Sequence, residues 1–90
     1  MIKTVLVEDS PLARKYLLSL LESDGRFEVS AVFEDAFQAE KYIETAGAEL
    51  VLMDVQTLHN HSGLASAERI RKSPTPPKVV IITSLIDPDI

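Results

Sequence analysis

Four polar residues stand where short apolar runs stop. Glu8 and Asp9 follow Val5-Leu6-Val7, Asp54 follows Leu50-Val51-Leu52-Met53, and Thr83 follows Val79-Val80-Ile81-Ile82. If those runs lie side by side in one sheet, three carboxylates and a hydroxyl converge on a single edge. Carboxylates brought that close repel one another by several kcal/mol unless something cationic intervenes. Hard oxygen ligands select a hard divalent ion, and Mg²⁺ is the natural choice, because it keeps several waters and bridges to phosphate oxygens. An aspartate in such a site can also be the nucleophile and form an acyl phosphate, catalysis then being largely positioning and charge neutralisation. Asp54 is the best placed for that role, since its run is expected in the centre of the sheet, between the first run and the last. Thr83 adds a hydroxyl donor for a phosphoryl oxygen.

The elements that must position these residues are legible as patterns. The three apolar runs are nearly continuous instead of alternating, as strands read when both faces are covered. Residues 27–33 alternate Phe27, Val29, Ala31 and Phe33 against Glu28, Ser30 and Val32, as a strand nearer an edge does. Ser10-Pro11 offers an N-cap and an N1 proline for a helix in which Ala13, Tyr16, Leu17, Leu20 and Leu21 share a side, Leu18 points away, and Asp24-Gly25 marks the end. Asp35 can cap a second helix carrying Ala36, Ala39, Tyr42, Ile43 and Ala46 on one face, with Gly47 as its stop. A third, shorter helical pattern runs from Gly63 to Lys72 and is stopped by Ser73-Pro74-Thr75-Pro76-Pro77. The predicted order is therefore strand, helix, strand, helix, strand, helix, strand: an α/β fold in three layers, with right-handed crossovers, a parallel sheet and helices on both faces. Such a sheet binds its ligand outside the carboxyl ends of its strands, where the four polar residues fall.

Composition bounds what the site can be part of. Ninety residues suffice for one small domain. Hydrophobic residues at 46% and charged residues at 26% exclude disorder and a coiled coil. No cysteine is present, which excludes disulfides, zinc-thiolate sites and a cysteine nucleophile and fits a cytoplasmic location. A net charge of −5 argues against nucleic-acid binding by this segment, and no apolar run approaches the ~20 residues that span a bilayer. Other features have plainer readings. His59 and His61 sit in a polar loop and read as solvated; Leu18 and Phe37 read as single exposed apolar residues; Arg69, Arg71 and Lys72 read as a solvated helix end favoured by the helix dipole.

In this order, the residues resemble the receiver domains of two-component response regulators. The resemblance is carried by the acidic pair in Val5-Leu6-Val7-Glu8-Asp9-Ser10, by Leu50-Val51-Leu52-Met53-Asp54-Val55, by Gly63, and by Lys78-Val79-Val80-Ile81-Ile82-Thr83. Ser10-Pro11-Leu12-Ala13-Arg14 and Asp24-Gly25-Arg26-Phe27-Glu28-Val29 look most like the LuxR-type transcriptional subgroup. The resemblance covers the whole chain and implies a flavodoxin-like receiver fold over residues 1–90. It further implies that Asp54 accepts phosphate from a sensor histidine kinase, that Glu8, Asp9, Asp54 and the backbone carbonyl of Gln56 bind Mg²⁺, and that Thr83 reports the phosphoryl group to a partner surface. Such a domain is a signalling switch and not an enzyme with an external substrate; DNA binding would belong to an output domain absent from this chain.

Two departures from the family pattern modify the expectation. The loop Val55-Gln56-Thr57-Leu58-His59-Asn60-His61-Ser62-Gly63 lacks a proline that the family usually carries, and is one residue longer. The chain also stops at Ile90, just as Asp87-Pro88-Asp89 reads like the start of a fourth helix, so a fifth strand with its lysine and the flanking helices are expected to be missing. The fragment is accordingly expected to self-associate through the exposed last strand or uncovered sheet faces. Two alternatives remain beside the phospho-accepting switch: a receiver-like module that binds partners without phosphorylation, and a metal-dependent nuclease or topoisomerase-like fold pairing Glu8 with Asp87 and Asp89, which leaves Asp54 without a role.

Overall fold

The computed structural model describes residues 1–54 and 63–82. Within them, seven elements follow in the expected order: β1 (Ile2–Val7), α1 (Pro11–Asp24), β2 (Phe27–Phe33), α2 (Ala36–Ala46), β3 (Leu50–Asp54), α3 (Gly63–Arg71) and β4 (Lys78–Ile82). The helix boundaries have local causes. Ser10 caps α1, its Oγ accepting from the Ala13 amide at 3.3 Å, with Pro11 at the first helical position. Gly25 ends α1 at φ 81°, a left-handed conformation that a side chain would strain. Asp35 caps α2 by accepting from the Phe37 amide at 2.8 Å.

The strands form one parallel sheet in the order β2-β1-β3-β4. Reversal of direction after β2 is the topological switch: β1 and β3, distant in sequence, become neighbours at the centre. Right-handed crossovers then place α1 on one face and α2 with α3 on the other. Val5, Val7, Val51 and Met53 point toward the second face and form the main core with Ala36, Ala39, Ile43 and Ile70. Leu6 points the opposite way and is fully buried under the α1 layer, where Leu21 is buried too. A register shift between Thr4 and Val5 interrupts the β1–β2 ladder, so β2 lies against the centre with a local irregularity.

Two expectations about packing are corrected. Tyr16 and Leu20 do not face the sheet; they are 64% and 50% exposed, whereas Leu17 and Leu18 are half-buried and Leu21 is buried. At 100° per residue, Arg14, Leu17, Leu18 and Leu21 share one side of α1, while Leu12, Tyr16 and Leu20 share the other. The inward stripe escapes a hydrophobicity pattern because one of its members is an arginine, whose apolar stem packs while its head reaches polar partners. The second correction concerns β4, whose nearly continuous apolar run suggested a strand covered on both faces. Val80 is 44% exposed and Ile81 is 38% exposed, and among the described residues β4 pairs on one side only, with β3.

Candidate functional site

The site begins with the register of the two central strands. Val7 pairs with Met53, so one step further along the same register Glu8 and Asp54 stand beside each other at the carboxyl ends of β1 and β3. Both are almost completely buried, each 2% exposed. The Glu8 backbone is anchored by its N–H, which donates to the Phe33 carbonyl at 2.9 Å. Its carboxylate Oε2 accepts the Ser10 amide at 3.0 Å.

Burial of two adjacent carboxyl groups dictates the electrostatics. The Glu8 carboxyl is pushed up to about 7, first by burial, then by its hydrogen bond to Asp54 and the charges of Asp54 and Asp9, against the opposing donation from the Ser10 amide. Glu8 therefore takes up a proton more readily than a solvated glutamate does. Asp9 is half-buried beside the pair and acts on it through its charge. From α1, Arg14 approaches the same loop, with Nη1 3.4 Å from the Glu8 carbonyl oxygen and 3.4 Å from Glu34 Oε1.

Among the described residues, no three carboxylate, imidazole or thiol groups lie close enough to cage a metal ion. Mg²⁺ seldom uses such a cage; it binds one or two carboxylates and retains waters. The Glu8–Asp54 pair fits that mode: it supplies hard oxygens from two adjacent buried carboxyl groups, and the repulsion that helps push Glu8 up is what a cation would relieve.

Of the residues predicted for the site, the structure brings Glu8 and Asp54 together and leaves Asp9 next to them. Gln56 and Thr83 lie outside the described residues, as do His59, His61, Asp87 and Asp89. Phe37 is exposed, as expected. The basic cluster is corrected: Arg69 is not simply a solvated helix end, because its guanidinium donates to both Glu40 oxygens at 2.6 and 2.9 Å, tying α3 to α2. The buried Ser66 hydroxyl donates to the same carboxylate at 2.8 Å. Arg71 pairs within its own helix with Glu68 at 3.1 Å. At the C-terminal ends of α2 and α3, a cleft of about 280 Å³ is lined by Glu40, Ile43, Glu44, Arg69, Ile70 and Thr75, and neither Glu8 nor Asp54 lines it.

The sequence signal for Arg14 was its place four residues after the N-cap, one turn into α1, from which a long side chain reaches back to the preceding loop. No helix among the described residues is long and apolar enough to cross a membrane.

Residues 4–90 match the family described as the response regulator receiver domain. A protein-glutamate methylesterase/protein-glutamine glutaminase of Anaeromyxobacter dehalogenans is 33% identical over 94% of this chain and 24% of its own length. The transcriptional regulatory protein LiaR of Bacillus subtilis is 26% identical over 99% of this chain and 42% of its own length. The crystal structure of a LuxR-family DNA-binding response regulator from Staphylococcus aureus superposes with a TM-score of 0.82 at 27% identity, covering 99% of this chain and 73% of that one. The chain thus spans about a quarter of the methylesterase's length and less than half of LiaR's.

Proposed function

Because this chain belongs to the response regulator receiver domain family, we propose that it is a phospho-accepting switch in which Asp54 takes a phosphoryl group from a sensor histidine kinase. Receiver domains are signalling domains that interact with such kinases. The observation that carries the proposal is the buried Glu8–Asp54 pair at the carboxyl ends of the two central strands. A carboxylate oxygen of Asp54 attacks the phosphorus of a phosphohistidine; the P–O bond forms as the P–N bond breaks, and the imidazole nitrogen leaves with its electron pair and takes up a proton. Burial keeps water from the resulting acyl phosphate, and the sheet fixes the direction of attack. Glu8, Asp9, Asp54 and the Gln56 carbonyl would hold Mg²⁺, which supplies charge neutralisation for the phosphoryl oxygens. Thr83 would donate its hydroxyl to a phosphoryl oxygen and transmit occupancy to a partner surface.

The same reading makes the whole protein a cytoplasmic transcription regulator, with DNA binding in a separate output domain, in line with the LuxR-family and LiaR likenesses. It also assigns residues 1–90 to a receiver domain, and gives the 90-residue chain a tendency to self-associate. Incubation with acetyl phosphate and Mg²⁺, followed by intact-mass spectrometry, tests the acceptor: addition of one phosphoryl group that Asp54→Asn abolishes while the circular dichroism spectrum is retained. Labelling that persists in Asp54→Asn means another acceptor. No mass change, together with no spectral response to beryllofluoride, supports a module that binds partners without phosphorylation.

A further inference from the structure

Arg14 has no part in the chemistry described so far, yet its placement is specific. It lies on the inward stripe of α1 with Leu17, Leu18 and Leu21, and its side chain is 25% exposed. Its Nη1 stands 3.4 Å from two acceptors on different loops, the Glu8 carbonyl after β1 and the Glu34 carboxylate after β2. The β2 end is already joined to the β1 end by the Glu8 N–H donating to the Phe33 carbonyl at 2.9 Å. Glu8 is thereby held at its amide by β2, at its carboxylate by the Ser10 N–H, and at its carbonyl by α1.

The carbonyl is the informative contact, because it belongs to the rigid peptide plane joining Glu8 to Asp9. Orienting that plane sets ψ of Glu8 and φ of Asp9, and so the directions in which both acidic side chains leave the backbone. We infer that Arg14 is a positioning residue for the carboxylate site: its guanidinium clamps the Glu8–Asp9 peptide against Glu34 and aims the acidic pair at the position beside Asp54. The inference rests on the Mg²⁺-binding reading above. Groups that orient metal ligands from outside commonly change metal affinity by 10-fold or more, by roughly 10–100-fold, when removed.

A purely electrostatic role for Arg14 makes the opposite prediction. A cation near a metal site repels the metal, so its removal would tighten Mg²⁺ binding, whereas loss of a clamp weakens it. The test is titration of the 90-residue chain with MgCl₂ alone, followed through backbone amide chemical shifts, for the wild type, R14Q and R14K. R14Q is expected to bind Mg²⁺ about tenfold more weakly. R14K keeps the charge and one donor but lacks the planar fork, and is expected to recover part of that loss. Equal or tighter binding by R14Q overturns the inference, as does a lower melting temperature with unchanged affinity, which would mark Arg14 as structural only. If R14Q does not fold, R14K decides alone: its charge is unaltered, so weaker binding supports the clamp and unchanged binding overturns it. A wild type with no saturable Mg²⁺ response refutes the metal reading and the inference with it; saturable binding that is the same in all three proteins refutes the role of Arg14 alone.

Discussion

Glu8 is pushed up from about 4.5 to about 7 by burial and by Asp54, so across that interval the folded chain holds a proton that the unfolded chain has released. Stability contributed by this group is therefore full below pH 4.5 and is lost as pH rises toward 7, by up to about 3 kcal/mol. Thermal melts without Mg²⁺ should show a higher midpoint at pH 5.5 than at pH 8 for this reason, and Glu8→Gln should flatten that difference. A midpoint that rises across the same interval in both proteins would refute the assignment. Glu40 runs the other way: the hydrogen bonds from Arg69 hold its carboxyl below the usual range, so its contribution is present above that range and is lost as pH falls through the lowered value. Arg69→Ala removes both guanidinium donors from the largely buried Glu40 carboxylate, leaving the Ser66 hydroxyl on it, and should lower the urea midpoint at pH 7.

Helix α1 separates what its own sequence specifies from what its neighbours impose. Its start is local: Ser10→Ala removes the cap on the Ala13 amide and should cost about 1 kcal/mol in urea unfolding. Its rotation is not local. Two apolar stripes are available, and the side that packs contains Arg14, because Glu8 and Glu34 accept its guanidinium at the sheet edge. Leu21→Ala should accordingly cost about 3 kcal/mol, while Leu20→Ala should change stability by less than about 0.5 kcal/mol; the reverse ranking would restore the stripe through Tyr16 and Leu20. The same distinction explains how much could be read in advance. Strand positions, caps and the meeting of Glu8 with Asp54 follow from short apolar runs, turn residues and the handedness of crossovers, all of them local or topological rules. The reach of Arg14 back to the Glu8 carbonyl had only its position one turn after the cap as a signal, and the Glu40–Ser66–Arg69 tie had none, because both depend on how a packed helix is turned.

At the scale of the whole molecule, the sheet is asymmetric. Its β2 side is alternating and half-buried, whereas β4 presents Val80 and Ile81 on opposite faces, both substantially exposed. Among the described residues β4 is an edge, and an edge of that composition is a template for pairing. Sedimentation of the 90-residue chain at micromolar concentration is expected to show self-association that Val80→Lys weakens, and a stable, well-folded wild-type monomer would refute it. The central pairing has a different consequence. Glu8 and Asp54 come from segments far apart in the chain and meet only when β3 docks against β1. Any partly folded species lacking that contact carries two ordinary solvated carboxylates. Formation of the long-range β1–β3 ladder, slow by its chain-closure entropy, is thus the same event as the meeting of the proposed ligands, and an ion bound there would act as a selective brake on unfolding of the sheet's centre.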